Sequence, residues 1–477
     1  MRRWLERAVP SISASELGFF RVWFGLGLAY VLYDARLPHA PFPETIHSHR
    51  AWLVDWPWVH MLAARPDLVA ALEVATIAAL VIFAAGLATR VAYATAVAGL
   101  FVWTMVLLTH SGAHQWAVAL VAAAALLPVR WGDGFSVDAL LRRRGGVAGL
   151  SSSSAAAPAP GEMEGPGYGF AVWLPGLVLG TAMAGAGIAK LRGSGLEWIT
   201  SGAVRYHFVI DAANAPVDWG LWLARHPWVA VALSFGAVVV ETTMVAAVAI
   251  PSYIRRLPFA LFAFSLLMGF FLFQAEVWRS WWLLAILFFV PFPAIYRLLS
   301  ARRGGGARTA AIAITRAQLA AAVTIVVLQL VASIWRLEVS PLMSDYAMYS
   351  NTFSSTDEFD RRNPIPPAYH FIGHGPNGLT MYADDHVERL ELDSLLRDAA
   401  VEHHERGHVA PARLGELQGA FDVLARAEPP LDGITVLADR KTFDWDQGTF
   451  VWSLNEPLAT LTAGGSTAAN QEPFRSR

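Results

Sequence analysis

The sequence predicts an all-α polytopic membrane bundle of about nine transmembrane helices, followed by a small C-terminal extracytoplasmic α+β domain. Three observations carry that expectation. Of the 477 residues, 55% are hydrophobic and only 16% charged, where a soluble domain usually has about 25% charged residues. Apolar runs long enough to cross ~30 Å of hydrocarbon recur through the first two thirds of the chain. Arginines gather in alternate connections between those runs, as the positive-inside rule requires.

The runs cover approximately 17–35, 68–89, 91–109, 114–130, 169–191, 228–250, 257–275, 279–299 and 317–337. The fourth is short and rich in alanine. With the N-terminus cytoplasmic, the inside connections carry Arg90, then Arg130 with Arg142, Arg143 and Arg144, then Arg255 with Arg256, then Arg297, Arg302, Arg303 and Arg308. The opposite connections mix isolated arginines with acids such as Asp34, Asp67, Glu197 and Asp211. The basic start "MRRWLERAVPSISASELGFF" leads into a long apolar run without a small-residue cleavage site, which reads as a retained first span. Many of the 19 tryptophans lie near run ends, as in an interfacial belt.

Residues 1–337 form the transmembrane domain by this reading. It is interrupted at about 145–168 by a Gly/Ser/Ala/Pro linker that divides the spans into four and five. "LEVATIAALVIFAAGLATR" and "VETTMVAAVAIPSYIRR" each place a glutamate early and an arginine at the inner end, the kind of match an internal repeat leaves. Residues 338–462 turn soluble. "LELDSLLRDAAVEHHERGH" and "ARLGELQGAFDVLARA" have helical spacing, and "GITVLADRKTFDWDQGTFVWSL" alternates around a turn like a hairpin. Residues 463–477 read as a disordered tail.

Composition also excludes. A net charge of −2, with no basic patch interleaved with aromatics, gives no sign of a nucleic-acid partner. With no cysteine there is no disulfide, thiolate metal site or cysteine nucleophile.

One residue breaks the chain's own habit. Lys and Arg total 36, yet lysine occurs only at 190 and 441. Lys190 ends the fifth apolar run, "AGAGIAKLRGSGLEW". Arginine would snorkel to the interface equally well. What arginine cannot do is lose its proton, whereas a partly buried lysine can act as a base. By the same topology His110, His114, Glu73 and Glu276 lie at the same membrane level from separate helices, and ionisable groups there tend to face an internal cavity. Arg21 and Glu241, toward the inner side of spans one and six, are expected to form a structural ion pair. The polar stretch from Gly195 to Trp228 is expected to roof the pocket, with His207 facing inward.

"AGIAKL" followed by "EWITSG" resembles the segment of the vitamin K-dependent gamma-carboxylase family that carries its catalytic lysine. Lys190 matches that lysine, and Ala189 stands where a preceding lysine is usual. "HQWAVALVAAAALLPVRWGDGFSVDALL" is similar to the stretch in which a histidine opens a helix and an S-V-D-x-L-L motif closes the next loop, with His114 matching the histidine that supports the lysine. "GFFRVWFG", Gly18 to Gly25, is similar to the opening of the wider family of horizontally transferred transmembrane (HTTM) domains. The likeness covers roughly residues 15–337. It implies a lysine base acting on a reduced naphthoquinone of the vitamin K or menaquinone type. O2 and CO2 would be co-substrates, and a peptide glutamate would be carboxylated; no metal is expected. One departure is the lack of a histidine in "LPFALFAFSLLMGFFLF", where relatives often have one.

"HERGH", His404 to His408, satisfies the H-E-x-x-H zinc pattern. Arg406, Gly407 and Pro411 argue instead for a charged, solvated helix end. "YHFIGHGPNG", with His370 and His374, reads as a loop.

The leading expectation is therefore a multi-pass protein of the cell membrane that uses Lys190 as base and His114 as its orienting partner, with His110, Glu73, Glu276 and His207 in support. Its partners would be the lipid bilayer and a secreted peptide. The alternatives are a non-catalytic membrane factor that binds, matures or helps export such a peptide, and a transporter, although transporters place their ionisable groups nearer the midplane.

Overall fold

The computed structural model describes residues 2–34, 56–110, 114–145, 163–300, 310–337, 344, 350, 352–365, 367–390 and 392–467. Its helices include α1 (Ala14–Asp34), α2 (Pro66–Ala85), α3 (Thr89–His110), α4 (His114–Ala125), α5 (Pro166–Ser194), α6 (Val204–Asp211), α7 (Trp219–Ala224), α8 (Pro227–Thr243), α9 (Tyr253–Gln274), α10 (Arg279–Phe289), α11 (Phe292–Ser300), α12 (Arg316–Trp335), α13 (Asp393–Arg406) and α14 (Pro411–Leu424). Among the described residues seven are long and apolar enough to cross a membrane: α1, α2, α3, α5, α8 with the 3₁₀ turn that follows it, α9 and α12.

Two of the expected runs differ. The eighth is a pair, α10 and α11, bent by 52° where Pro291 lacks an amide donor. The fourth is only the 12-residue α4, ended shortly before Pro128. At about 1.5 Å per residue it is well short of a hydrocarbon thickness.

α5 is the axle of the bundle, packed against α4, α8, α10 and α12. Its glycines bring neighbours close, as small residues do between membrane helices. A Cβ on Gly180 would lie 2.8 Å from the Val245 Cα, and one on Gly187 would lie 2.7 Å from Thr242 Cγ2 and 3.2 Å from Glu241 Cβ. Large apolar side chains such as Val74, Val91, Ile254 and Leu261 face outward from the bundle.

Short strands Ile12–Ser13, Met163–Gly165 and Ala310–Ala311 form one small sheet. It gathers the starts of α1, α5 and α12 at one end. α12 leads away from that end, so the C-terminal domain sits at the other.

That domain has five strands: β1 (Ala368–Gly375), β2 (Leu379–Tyr382), β3 (Gly433–Asp444), β4 (Thr449–Thr462) and β5 (Gly465–Thr467). The order is β2-β1-β3-β4-β5 and every pairing is antiparallel. Leu396, Ala399, Leu417, Phe421 and Leu424 from α13 and α14 meet Ile434, Val436, Ala459 and Leu461 of the sheet in one core. The β3–β4 hairpin turns at Gly448, whose φ of 72° favours glycine. β5 carries the sheet past residue 462, where a tail was expected. His370 and His374 stand on β1 rather than in a loop.

Candidate functional site

The site is built where α5 and α8 cross. α5 has 29 residues, about 43 Å of helix, and continues one turn beyond Lys190. The lysine therefore sits inside the bundle, only 3% exposed. Gly187, one turn earlier, has no side chain to hold α8 away. Glu241 of α8, also 3% exposed, fills that approach and accepts from Lys190 Nζ at 2.8 Å through Oε1. Its other oxygen, Oε2, is buried, and among the described residues no hydrogen bond reaches it. The amine also lies 5.4 Å from the centre of the Trp198 ring, a cation–π contact.

This corrects the expected pairing of Arg21 with Glu241. Arg21, fully buried, donates from Nη1 to Trp131 O at 2.8 Å and from Nη2 to Phe135 O at 2.7 Å. Its Nε and Nη2 reach Ala84 O near the end of α2, each at 3.4 Å. Arg21 thus satisfies orphan helix and loop carbonyls, and Glu241 belongs to Lys190.

A cavity of about 290 Å³ opens beside the pair. Trp198, Phe208, Phe262, Phe270 and Phe273 give it an aromatic lining, and His207, Ser265 and Gln274 supply the polar groups besides Lys190 and Glu241. Gly236 of α8 and Gly269 of α9 face it, and a Cβ on either would meet no atom of the described residues within 4 Å. The roof comes from α6, which carries Val204, His207 and Phe208. The C-terminal domain rests on that roof. Tyr206 and Val209 share an apolar cluster with Phe353, Phe359 and Phe443, with Trp445 packed against it, and Arg225 donates to Asp446 O.

Of the other expected site residues, Glu276 lies past the end of α9 and accepts from Trp278 Nε1 at 3.0 Å. Glu73 accepts from Trp103 Nε1 at 3.0 Å and does not line the cavity. The side chains of His110 and His114 lie outside the described residues, as does most of the expected linker. The S-V-D motif has a structural task. Asp138 accepts from the amides of Ala88 and Thr89 at 2.8 Å each and so caps α3.

In the zinc-like motif, α13 ends at Gly407 in the left-handed conformation, which leaves His408 beyond the helix. His403 Nδ1 lies 2.7 Å from Ser466 Oγ, His404 is 3.9 Å from Glu456, and His408 Nδ1 is 3.1 Å from Arg406 O. The two imidazoles do not share a helical face.

Compared with protein-family models, curated proteins and solved structures, the chain finds no match.

Proposed function

We propose that the Lys190–Glu241 cavity is the reaction site of a membrane enzyme that removes a proton from an apolar, weakly acidic lipid such as a reduced naphthoquinone. One observation carries this reading: a lysine and a glutamate buried together beside an aromatic cavity, with one carboxylate oxygen that has no donor among the described residues. A bound hydroxyl would give Glu241 Oε2 its missing hydrogen bond. Trp198 and the cavity phenylalanines would hold the flat apolar body, and the bilayer would deliver it.

When bound, the reduced quinone would supply the ionisable hydroxyl and the reducing equivalents for the demanding step. The chain's own part is to hold the proton. Glu241 fixes the position of the Lys190 amine, and the pair offers two atoms between which a proton can move. The dry lining strengthens every charge interaction inside. General base catalysis of this kind contributes about 10²–10⁴-fold.

In the full proposal the chain crosses the cell membrane nine times, with the bent α10–α11 pair included and with the short α4 lengthened by the turns that follow it to residue 129. The N-terminus is cytoplasmic and the C-terminal domain extracytoplasmic, as the arginine distribution favours. His114, at the start of α4, retains the orienting role that the family resemblance assigns it. A secreted peptide glutamate is the proposed acceptor, and CO2 the carboxyl source.

The test uses protein in lipid nanodiscs with reduced naphthoquinone, oxygen and labelled bicarbonate. Quinone epoxide should form with wild type and fall at least a hundredfold with Lys190→Arg, which keeps the charge but not the titratable amine. Equal epoxide from both would end the base reading.

A second reading is favoured by the domain seated on the cavity roof: a non-catalytic factor that binds a secreted peptide there. Wild type that forms no epoxide but binds such a peptide would establish it.

A further inference from the structure

The cavity has a titratable group at its rim that the Lys190–Glu241 pair does not use. Asp211 closes α6 one turn after His207, so the two share a helix face. His207 lines the cavity, and Gln274, the last residue of α9, lines it too. From Nε2, Gln274 donates to Asp211 Oδ2 at 2.8 Å. Among the described residues no hydrogen bond reaches Asp211 Oδ1. An amide can hold a carboxylate in place, but only the carboxylate can carry the proton.

We propose that Asp211 is the proton port of this cavity, passing protons between His207 and water at the end of the bundle that bears the C-terminal domain. The proposal rests on the base reading above. Each turnover breaks an O–H bond of the bound hydroxyl and places its proton on the Lys190–Glu241 pair. That proton must leave before the next turnover. On α6, His207 lines the cavity and Asp211 follows it by one turn, and Asp211 is the more exposed of the two.

The surroundings suit a group that gains and loses a proton near neutral pH. Burial raises the Asp211 carboxyl to about 6; the Gln274 hydrogen bond opposes that rise and the charge of Glu276 adds to it. The elements packed on α6 carry few other ionisable groups. They are Asp218 before α7 and Arg225 directly after it, His226 before α8 with Glu241 within it, and Arg255 and Arg256 at the distant start of α9. On α6 itself, Arg205 donates to the Tyr206 hydroxyl, and from the C-terminal domain the charges of Glu358 and Asp360 act on Tyr206.

The experiment follows protons. Protein in nanodiscs is mixed anaerobically with 2-methyl-1,4-naphthalenediol; its absorbance reports ionisation and a pH-indicator dye reports release to bulk water. Wild-type release should quicken as pH rises through about 6. Asp211→Asn should slow release at least tenfold and flatten that profile while the final extent of ionisation stays the same. Asp211→Glu should restore most of the rate. A purely structural role would instead lower extent and rate together, and that result overturns the port. So does an Asp211→Asn variant that releases protons at the wild-type rate and pH profile. A wild type that never ionises the diol refutes the base reading and the port with it, whereas ionisation with unchanged Asp211→Asn kinetics refutes the port alone.

Discussion

Glu241 holds the amine of Lys190 at 2.8 Å with both side chains out of solvent, on helices that Gly187 allows to touch. Each residue is the other's charge partner, so neither can be changed without consequence for the other. Removing one partner of a buried pair costs about 3–5 kcal/mol, whereas replacing both by apolar groups of similar volume is often neutral. Glu241→Leu and Lys190→Met should each lower stability on that scale, and the double variant should recover most of it while remaining inactive. Unfolding in mixed micelles reads the first result and epoxide formation the second. A double variant as unstable as the sum of the singles would contradict the pairing.

Arg21 should behave as a purely structural residue. Each carbonyl left without a donor costs about 1–3 kcal/mol, and Arg21 serves those of Ala84, Trp131 and Phe135. Arg21→Met should lower the midpoint of thermal unfolding clearly. Arg21→Lys should rescue little, because an ammonium cannot reproduce the planar fork. In nanodiscs at low temperature, where the variants remain folded, ionisation of the diol should be that of wild type.

Cavity access can be tested without touching an ionisable group. Gly236 faces open space inside the cavity, so Gly236→Leu adds volume where nothing has to move. Stability should change by less than about 1 kcal/mol, while binding of the naphthalenediol, followed by equilibrium dialysis, should weaken at least tenfold. Unchanged affinity would mean that the diol binds elsewhere.

Acid should favour the fold through Asp211. Its folded carboxyl titrates at about 6 against an ordinary 3.8, so between those values the folded chain binds more protons than the unfolded chain. Its contribution to stability therefore falls as pH rises across that window. Thermal unfolding of wild type and Asp211→Asn at a series of pH values from 4 to 7 should show this component in the first and not in the second.

Much of this was legible in the residues. Runs of apolar side chains marked every long helix, because a span must satisfy its own backbone. The period-two pattern through "GITVLADRKTFDWDQGTFVWSL" marked the hairpin. Lys190 stood out because arginine does nearly all the other cationic work. Its partner was hidden for a geometric reason. Depth reckoned from run ends places Glu241 toward the inner side of its span, away from Lys190. α5 runs on past Lys190 and α8 crosses it, which brings the two to one level. The partners of Arg21 leave no mark in the sequence, because they are backbone carbonyls, which every residue type carries. Gln274 and Asp211 left only the faintest trace, one amide at the end of "GFFLFQ" and one acid among several.

The seating of the C-terminal hairpin on α6 has an energetic corollary. Tyr206, which anchors the Phe359 and Phe443 cluster, is the immediate neighbour of His207, which faces the hollow below. A ligand that tightens this short helix from beneath must change the affinity of anything gripping the hairpin from above, and by linkage the reverse holds by the same factor. Occupancy inside the bundle and engagement at the periphery are thereby reciprocal quantities, joined through a helix of eight residues.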